Sequence, residues 1–82
     1  MENTFNVKLS TLEDMSDFVK ICDQFDDYID YKVGSYIVDA KSVMGVMSTT
    51  IGKEAKVTIY TDNSRIVDSF VDNIKKWIVG DF

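Results

Sequence analysis

The side chains that carry out acid–base, metal or nucleophilic chemistry are sparse in this sequence. Its 82 residues include one cysteine, Cys22, and no histidine. One thiol without any imidazole cannot supply the ligand set of a zinc site, and Ser-His and Cys-His catalysis are excluded for the same reason. We therefore predict no catalytic residues, no bound metal and no cofactor, and we interpret Cys22 as a small buried apolar side chain.

Carboxylates are more numerous but are not spaced for cation binding. Asp23, Asp26, Asp27 and Asp30 fall around the end of the first predicted helix. A calcium loop of the EF-hand type needs a glycine at its turn and a glutamate at its end, and both are missing here. The pattern is typical of a solvated acidic face.

One serine stands at a position where a hydroxyl has two possible uses. Ser42 follows Lys41 in the run D-A-K-S-V-M-G-V-M-S-T-T, residues 39–50. Serine is a favoured N-cap of a helix, and a phosphate attached there would meet free backbone N–H groups and the positive end of the helix dipole. Capping and phosphorylation both remain open for Ser42. Gly45 costs helix stability, and close packing on the sheet or close approach of another protein would compensate.

The apolar side chains behind Ser42 also have two interpretations. Val43, Met44, Val46 and Met47 cannot all be buried by one short helix, because neighbouring positions point in different directions. Either Val46 and one methionine belong to the core and the others lie singly on the surface, or the segment forms a surface patch for a partner. Flexible methionines suit a surface that packs against several partners.

Charge and hydropathy exclude two classes of partner. The net charge is −5, with a single arginine, Arg65, and lysines that form no stripe. Nucleic acid and anionic membrane surfaces are bound through clustered Lys and Arg, so we predict neither as a partner. No run approaches the about 18 apolar residues of a membrane span. The first residues lack the basic start and apolar run of a signal peptide, so a cytoplasmic location is expected.

Hydrophobic periodicity predicts the elements that would position these residues. Alternation predicts strands over 5–9, 28–33, 36–38 and 56–60, with a turn at Gly34-Ser35. A first helix begins near Ser10 or Thr11, both of which have capping-box spacing, and its predicted apolar face comprises Leu12, Met15, Phe18, Val19, Cys22 and Phe25. A short helix is expected over 39–48. The closing helix is expected to carry apolar residues from Ile66 to Ile78 and to stop at Gly80.

This order predicts one domain over residues 1–82. Two amphipathic helices have one apolar side each, so both must lie on the same face of the four strands. The result is an open-faced sandwich of helices on a sheet.

The segment V-D-A-K-S-V-M-G-V-M-S, residues 38–48, resembles the histidine-containing phosphocarrier protein of the bacterial sugar phosphotransferase system, HPr. That family carries K-S-[IV]-[ML]-G-[VIL]-M-S around a regulatory serine. A weaker resemblance extends from about Phe5 to Ile78. It implies an α+β open-faced β-sandwich, with a four-stranded antiparallel sheet, helices packed on one face and the order β-α-β-β-α-β-α.

The chain departs from the family at the phosphoryl site. HPr reads roughly G-[LI]-H-A-R-P after its first strand, and the histidine there carries the phosphoryl group. Here residues 8–17 read K-L-S-T-L-E-D-M-S-D, without histidine, arginine or proline. Glu13 and Asp14 suit the start of a helix but repel phosphate. Phosphoryl transfer from phosphoenolpyruvate through this chain is therefore not expected.

The resemblance implies roles for the residues that do match. Ser42 corresponds to the regulatory phosphorylation site, and Val43, Met44 and Met47 correspond to the docking patch. The implied partners are proteins: components of the phosphotransferase system, a serine kinase or a transcriptional regulator. We interpret the chain as a non-catalytic regulatory or protein-interaction module. Two alternatives remain, a working phosphocarrier with a relocated phosphoryl site and a structural binding module unrelated to sugar transport.

Overall fold

Four strands form a single sheet in the computed structural model, which describes residues 2–80. The elements in chain order are β1 (Glu2–Lys8), α1 (Leu12–Asp23), β2 (Ile29–Val33), β3 (Tyr36–Asp39), α2 (Val43–Met47), β4 (Glu54–Tyr60) and α3 (Ser64–Ile74). The strand order across the sheet is β1-β4-β2-β3, and every neighbouring pair is antiparallel. The α+β open-faced sandwich expected from the sequence is confirmed. Residues 1, 81 and 82 of the predicted domain lie outside the described part.

The core lies between one face of the sheet and the helices. Alternate residues of each strand point toward the helices, as the burial of Ala55, Val57 and Ile59 in β4 shows. Phe18 of α1 packs edge-on against Trp77 with ring centroids 5.8 Å apart, which joins the first helix to the C-terminal segment. Each fully buried side chain of this size contributes about 1.5–3 kcal/mol through removal from water. The buried apolar residues are Val7, Leu9, Met15, Phe18, Val19, Cys22, Ile29, Tyr31, Ala40, Val46, Ala55, Val57, Ile59, Phe70, Ile74 and Trp77.

Helix α1 begins at the second of the two predicted caps. Thr11 has extended backbone angles, and its Oγ1 accepts the N–H of Asp14 at 3.0 Å. The Asp14 carboxylate accepts the N–H of Ser10 at 3.2 Å, one residue before the cap. Leu12 was placed on the apolar face by its spacing, and this placement is wrong: 59% of its surface is exposed. Leu12 is the first residue of the helix, and the buried side chains of α1 begin only at Met15.

The C-terminal segment ends its helix earlier than the pattern predicts. Helix α3 stops at Ile74 and is followed by a 3₁₀ turn over Lys75–Trp77. Ile78 is extended and bridges Val7 of β1, and the N–H of Val79 donates to the Asn6 carbonyl at 2.9 Å. Gly80 therefore does not terminate the helix. The apolar spacing continued past the helix because Trp77 and Ile78 reach the core by a different backbone path.

The helix expected over 39–48 is shorter and begins later. Asp39 belongs to β3, and α2 comprises only Val43–Met47. The Asp39 carboxylate accepts the N–H of Lys41 at 2.9 Å and its carbonyl accepts the N–H of Ser42 at 3.0 Å. These two bonds form a turn, and the extended backbone of Ser42 (φ −97°, ψ 109°) prevents the helix from starting earlier.

Candidate functional site

The Ser42 hydroxyl caps α2. Its Oγ accepts the N–H of Gly45 at 3.0 Å, and the Ser42 carbonyl accepts the N–H of Val46 at 2.9 Å. Ser48 closes the other end, where its Oγ donates to the Gly45 carbonyl at 2.6 Å. Ser42 is half-buried, and its hydroxyl is engaged with the backbone of the five-residue helix.

Lys41 is engaged elsewhere in the fold. Its ammonium donates to the carbonyl of Phe25, just past the end of α1. A cation near the C-terminal end of a helix interacts favourably with the helix dipole. The residue before Ser42 therefore joins the end of α1 to the start of α2. The sequence could not indicate this contact, because 16 residues separate the two partners.

Gly45 allows α2 to lie close to the sheet. A Cβ at this position would stand 3.2 Å from Ser42 Oγ, 3.3 Å from Ser42 Cβ and 3.3 Å from Val38 Cβ. These distances are shorter than ordinary van der Waals contact, so any side chain at residue 45 would press on the cap and on β3. Of the two explanations left open by the sequence, close packing on the sheet accounts for the glycine.

The predicted docking residues lie together on the solvent side of α2. Val46 is fully buried, whereas Val43, Met44 and Met47 are 42%, 82% and 37% exposed. Neither methionine is part of the core. We call Val43, Met44 and Met47 the α2 patch. A helix of five residues thus holds one apolar anchor and presents three apolar side chains to solvent, whereas single exposed apolar residues are ordinary on protein surfaces.

The segment at the start of α1 is acidic and self-contained. Asp14 has a pKa below its ordinary value, mainly because the Trp77 side chain stabilises its charged form, with further hydrogen bonds from Ser10 and Thr11. Glu13 is the other acidic residue of the first turn. Asp14 donates its N–H to the Thr11 hydroxyl and accepts the N–H of Ser10 on its carboxylate. The Asp14 carboxylate thus already occupies the place where an anion would bind at this helix start.

Buried polar groups elsewhere are inert. Burial raises the pKa of the Cys22 thiol to about 12, which keeps the nucleophilic thiolate negligible at neutral pH. The Tyr31 hydroxyl is buried and has no hydrogen-bond partner among residues 2–80, and burial raises its pKa. The nearby Thr49 side chain acts on this pKa in the opposite direction, but the Thr49 hydroxyl donates its own hydrogen bond to the Val46 carbonyl.

Two further observations concern the described residues as a whole. Over residues 2–80, no three Cys, Asp or Glu side chains are grouped closely enough to hold a metal ion. The helices in the same range are too short or too polar to cross a bilayer.

Fold and site together define a class: small open-faced α+β proteins whose serine-capped short helix presents an apolar surface. Comparison with known proteins gives the family. The family model described as PTS HPr component phosphorylation site matches residues 15–78, and the chain belongs to this HPr family of the phosphotransferase system. Proteins of the family are phosphocarriers and not catalysts in themselves.

Two solved structures illustrate the similarity. The crystal structure of HPr-C-His from Thermoanaerobacter tengcongensis superposes with a TM-score of 0.69 at 28% identity, covering 93% of this chain and 92% of that one. A phosphocarrier protein HPr from Bacillus anthracis str. Ames gives a TM-score of 0.66 at 21% identity, with 89% of this chain and 96% of that one covered. The second likeness concerns the fold alone.

Proposed function

We propose that this chain is a non-catalytic, cytoplasmic member of the HPr family that acts by binding other proteins through the α2 patch. The observation that carries the proposal is the exposure of Val43, Met44 and Met47 on a helix anchored by one buried valine. Partner-binding surfaces are enriched in methionine and are commonly apolar at their centre. The partners are proteins of the phosphotransferase system, a serine kinase or a transcriptional regulator. Nucleic acid and membrane surfaces are not among them.

The absence of a carrier group supports a binding role over phosphoryl transfer. The chain contains no histidine, and the start of α1 is occupied by Glu13 and Asp14. A phosphoryl group brought to this helix start would meet two carboxylates in place of a cationic side chain. The negative charges of the carboxylates would repel it.

Phosphorylation of Ser42 is proposed as the regulatory step. A kinase would transfer the γ-phosphoryl group of ATP to Oγ, with loss of the hydroxyl proton and release of ADP. The phosphate would add about −1.5 to −2 charges at the rim of the α2 patch. The Lys41 ammonium is not free to pair with this phosphate, because it donates a hydrogen bond to the Phe25 carbonyl. The added negative charge therefore changes the affinity for a partner directly, through the partner's own charges at the interface.

Binding to purified proteins tests the docking role. Titration of the ¹⁵N-labelled chain with enzyme I, the serine kinase and the regulator of the system should shift the amides of Val43, Met44 and Met47 for at least one of them. Met44→Asp should abolish that binding, since it places a charge at the most exposed residue of the patch. Ser69→Asp is the control, because it introduces the same charge at an exposed position of α3, outside the patch. Binding that survives Met44→Asp contradicts the proposal.

Two labelling reactions test the remaining steps. Radiolabelled phosphoenolpyruvate and enzyme I should leave the chain unlabelled; stoichiometric labelling would show a relocated phosphoryl site. The serine kinase with labelled ATP should modify the wild-type chain and not Ser42→Ala. If no Ser42-dependent label forms, the regulatory step is wrong, and binding through the patch then stands or fails by the titration alone.

A further inference from the structure

The face of the sheet opposite the helices carries two lysines side by side on neighbouring strands. Lys32 of β2 and Lys56 of β4 are direct cross-strand partners, and both are exposed. They belong to the two inner strands of the order β1-β4-β2-β3. Directly opposed side chains have Cβ atoms about 4.5–5.5 Å apart, and like charges at that separation destabilise a sheet.

Other charged pairs on the same face are compensated. Lys8 of β1 lies opposite Glu54 of β4, a favourable pairing. Asp30 and Asp39 also face one another, but the Tyr60 hydroxyl donates to Asp30 at 2.7 Å and the Lys41 N–H donates to Asp39. The acidic pair thus has its hydrogen-bond donors.

The lysine pair has no such compensation. Within residues 2–80, neither the Lys32 ammonium nor the Lys56 ammonium takes part in a hydrogen bond or a salt bridge, even though the whole chain has 14 acidic residues against 9 basic ones. The nearest carboxylates along their strands are Asp30 and Glu54, each two residues away; Asp30 accepts the Tyr60 hydroxyl, and Glu54 lies opposite Lys8 in the register. The chain keeps two ammonium groups without a salt bridge side by side on the exposed face of the inner strands.

Hollows flank the pair on both sides. One, of about 210 Å³, is lined by Lys32 and Lys56 with Asn6, Gly34 and Glu54. The other, of about 300 Å³, is lined by the same lysines with Thr4, Asp30, Ile37, Thr58 and Tyr60. Both lysines border both hollows, so the two hollows adjoin one another on this face of the sheet. An extended chain that crosses the pair fits this shape better than one enclosed small molecule.

We propose that this outer face is a second interaction surface, which binds an acidic segment of a partner protein with its carboxylates between Lys32 and Lys56. Charge complementarity selects the occupant: a carboxylate relieves the repulsion between the two ammonium groups. The surface is independent of the α2 patch, because Val46 anchors α2 on the helix side of the sheet. Both surfaces can therefore be occupied at once, and the chain can connect two proteins.

The experiment uses an acetylated hexaglutamate peptide as probe and follows the ¹⁵N-labelled full chain by NMR at low salt. Shifts should be confined to Lys32, Lys56 and their neighbours on the outer face and should diminish as salt is added. Lys32→Glu should weaken binding at least about tenfold, since like-charge contacts oppose association. Lys20→Glu makes the same charge change on exposed α1 and should bind as the wild type does.

Urea unfolding of the free protein is a second test of the lysine pair. Lys32→Glu should raise the urea midpoint of the free protein, because it converts the repelling pair into an attracting one. Stability and peptide binding should therefore change in opposite directions. The proposal is overturned if the peptide shifts other regions, if Lys32→Glu binds it normally, or if the midpoint falls. Inorganic phosphate that shifts the same amides at lower concentration than the peptide would show a small-anion site and contradict the acidic segment.

Discussion

Gly45→Ala should destabilise the protein even though alanine is the better helix former. In an open helix the change would gain about 1 kcal/mol. Here the new methyl group would stand 3.2 Å from Ser42 Oγ and 3.3 Å from the Cβ atoms of Ser42 and Val38. Overpacking of this kind costs about 1–3 kcal/mol.

The neighbours of Gly45 have little freedom to withdraw. A Cβ atom moves only with its main chain, and the main chain of Ser42 is held by bonds of 3.0 Å to the Asp39 carbonyl and 2.9 Å from the Val46 N–H. Taking about 2 kcal/mol for the steric cost, we expect a net loss of about 1 kcal/mol. In a domain of this size that lowers the melting temperature by about 4–8 °C.

Urea unfolding followed by the fluorescence of Trp77, the one tryptophan, measures this loss. The midpoint should fall with an unchanged slope. Ser69→Ala is the control, since Ser69 is exposed on α3 and should gain a few tenths of a kcal/mol from propensity alone. In the Ser42→Ala background the closest contact is absent, so the cost of Gly45→Ala should shrink. If Gly45→Ala matches or exceeds the wild-type stability, the steric argument is refuted.

Three further outcomes follow from the buried and capping groups. Ser42→Ala should cost about 1 kcal/mol in urea unfolding through loss of the cap, while Ser42→Asp should retain most of it; equal losses would show that the cap contributes little. Tyr31→Phe should leave stability unchanged or raise it by up to about 1 kcal/mol, because it removes a buried hydroxyl without a partner, and a clear loss would reveal a hidden hydrogen bond. Cys22, with its pKa near 12, should react with a thiol reagent at pH 8 only at the rate of protein opening, so fast labelling of the folded chain would contradict its burial.

The sequence predicted the type and order of the elements well because their periodicity is strong. The alternation of β4 and the apolar spacing of α1 each survive in the fold, and the helices share one face as expected. Boundaries failed where local hydrogen bonds override periodicity. The Asp39 side chain made a turn where a helix was predicted, and Ile78 joined β1 by a strand bridge although its spacing fits α3.

The candidate site was predictable in part. Periodicity and segment length indicated that α2 could not bury all its apolar residues, and the structure exposes Val43, Met44 and Met47. The sequence could not predict that Lys41 contacts Phe25 or that Lys32 lies opposite Lys56. Each contact depends on how distant segments are aligned in the fold. Docking at the α2 patch and phosphorylation of Ser42 stay predictions.

The extended residues after α3 protect the sheet from edge-to-edge association. An uncovered edge strand offers unpaired N–H and C=O groups on which other chains can assemble. Ile78 and Val79 cover part of the β1 edge through a bridge to Val7 and a bond to the Asn6 carbonyl. At the other edge β3 has only four residues, and the Asp39 carbonyl is already taken by Ser42. The two edge strands carry few of the lysines that discourage pairing with another chain. The C-terminal segment and the shortness of β3 limit strand-by-strand aggregation in their place.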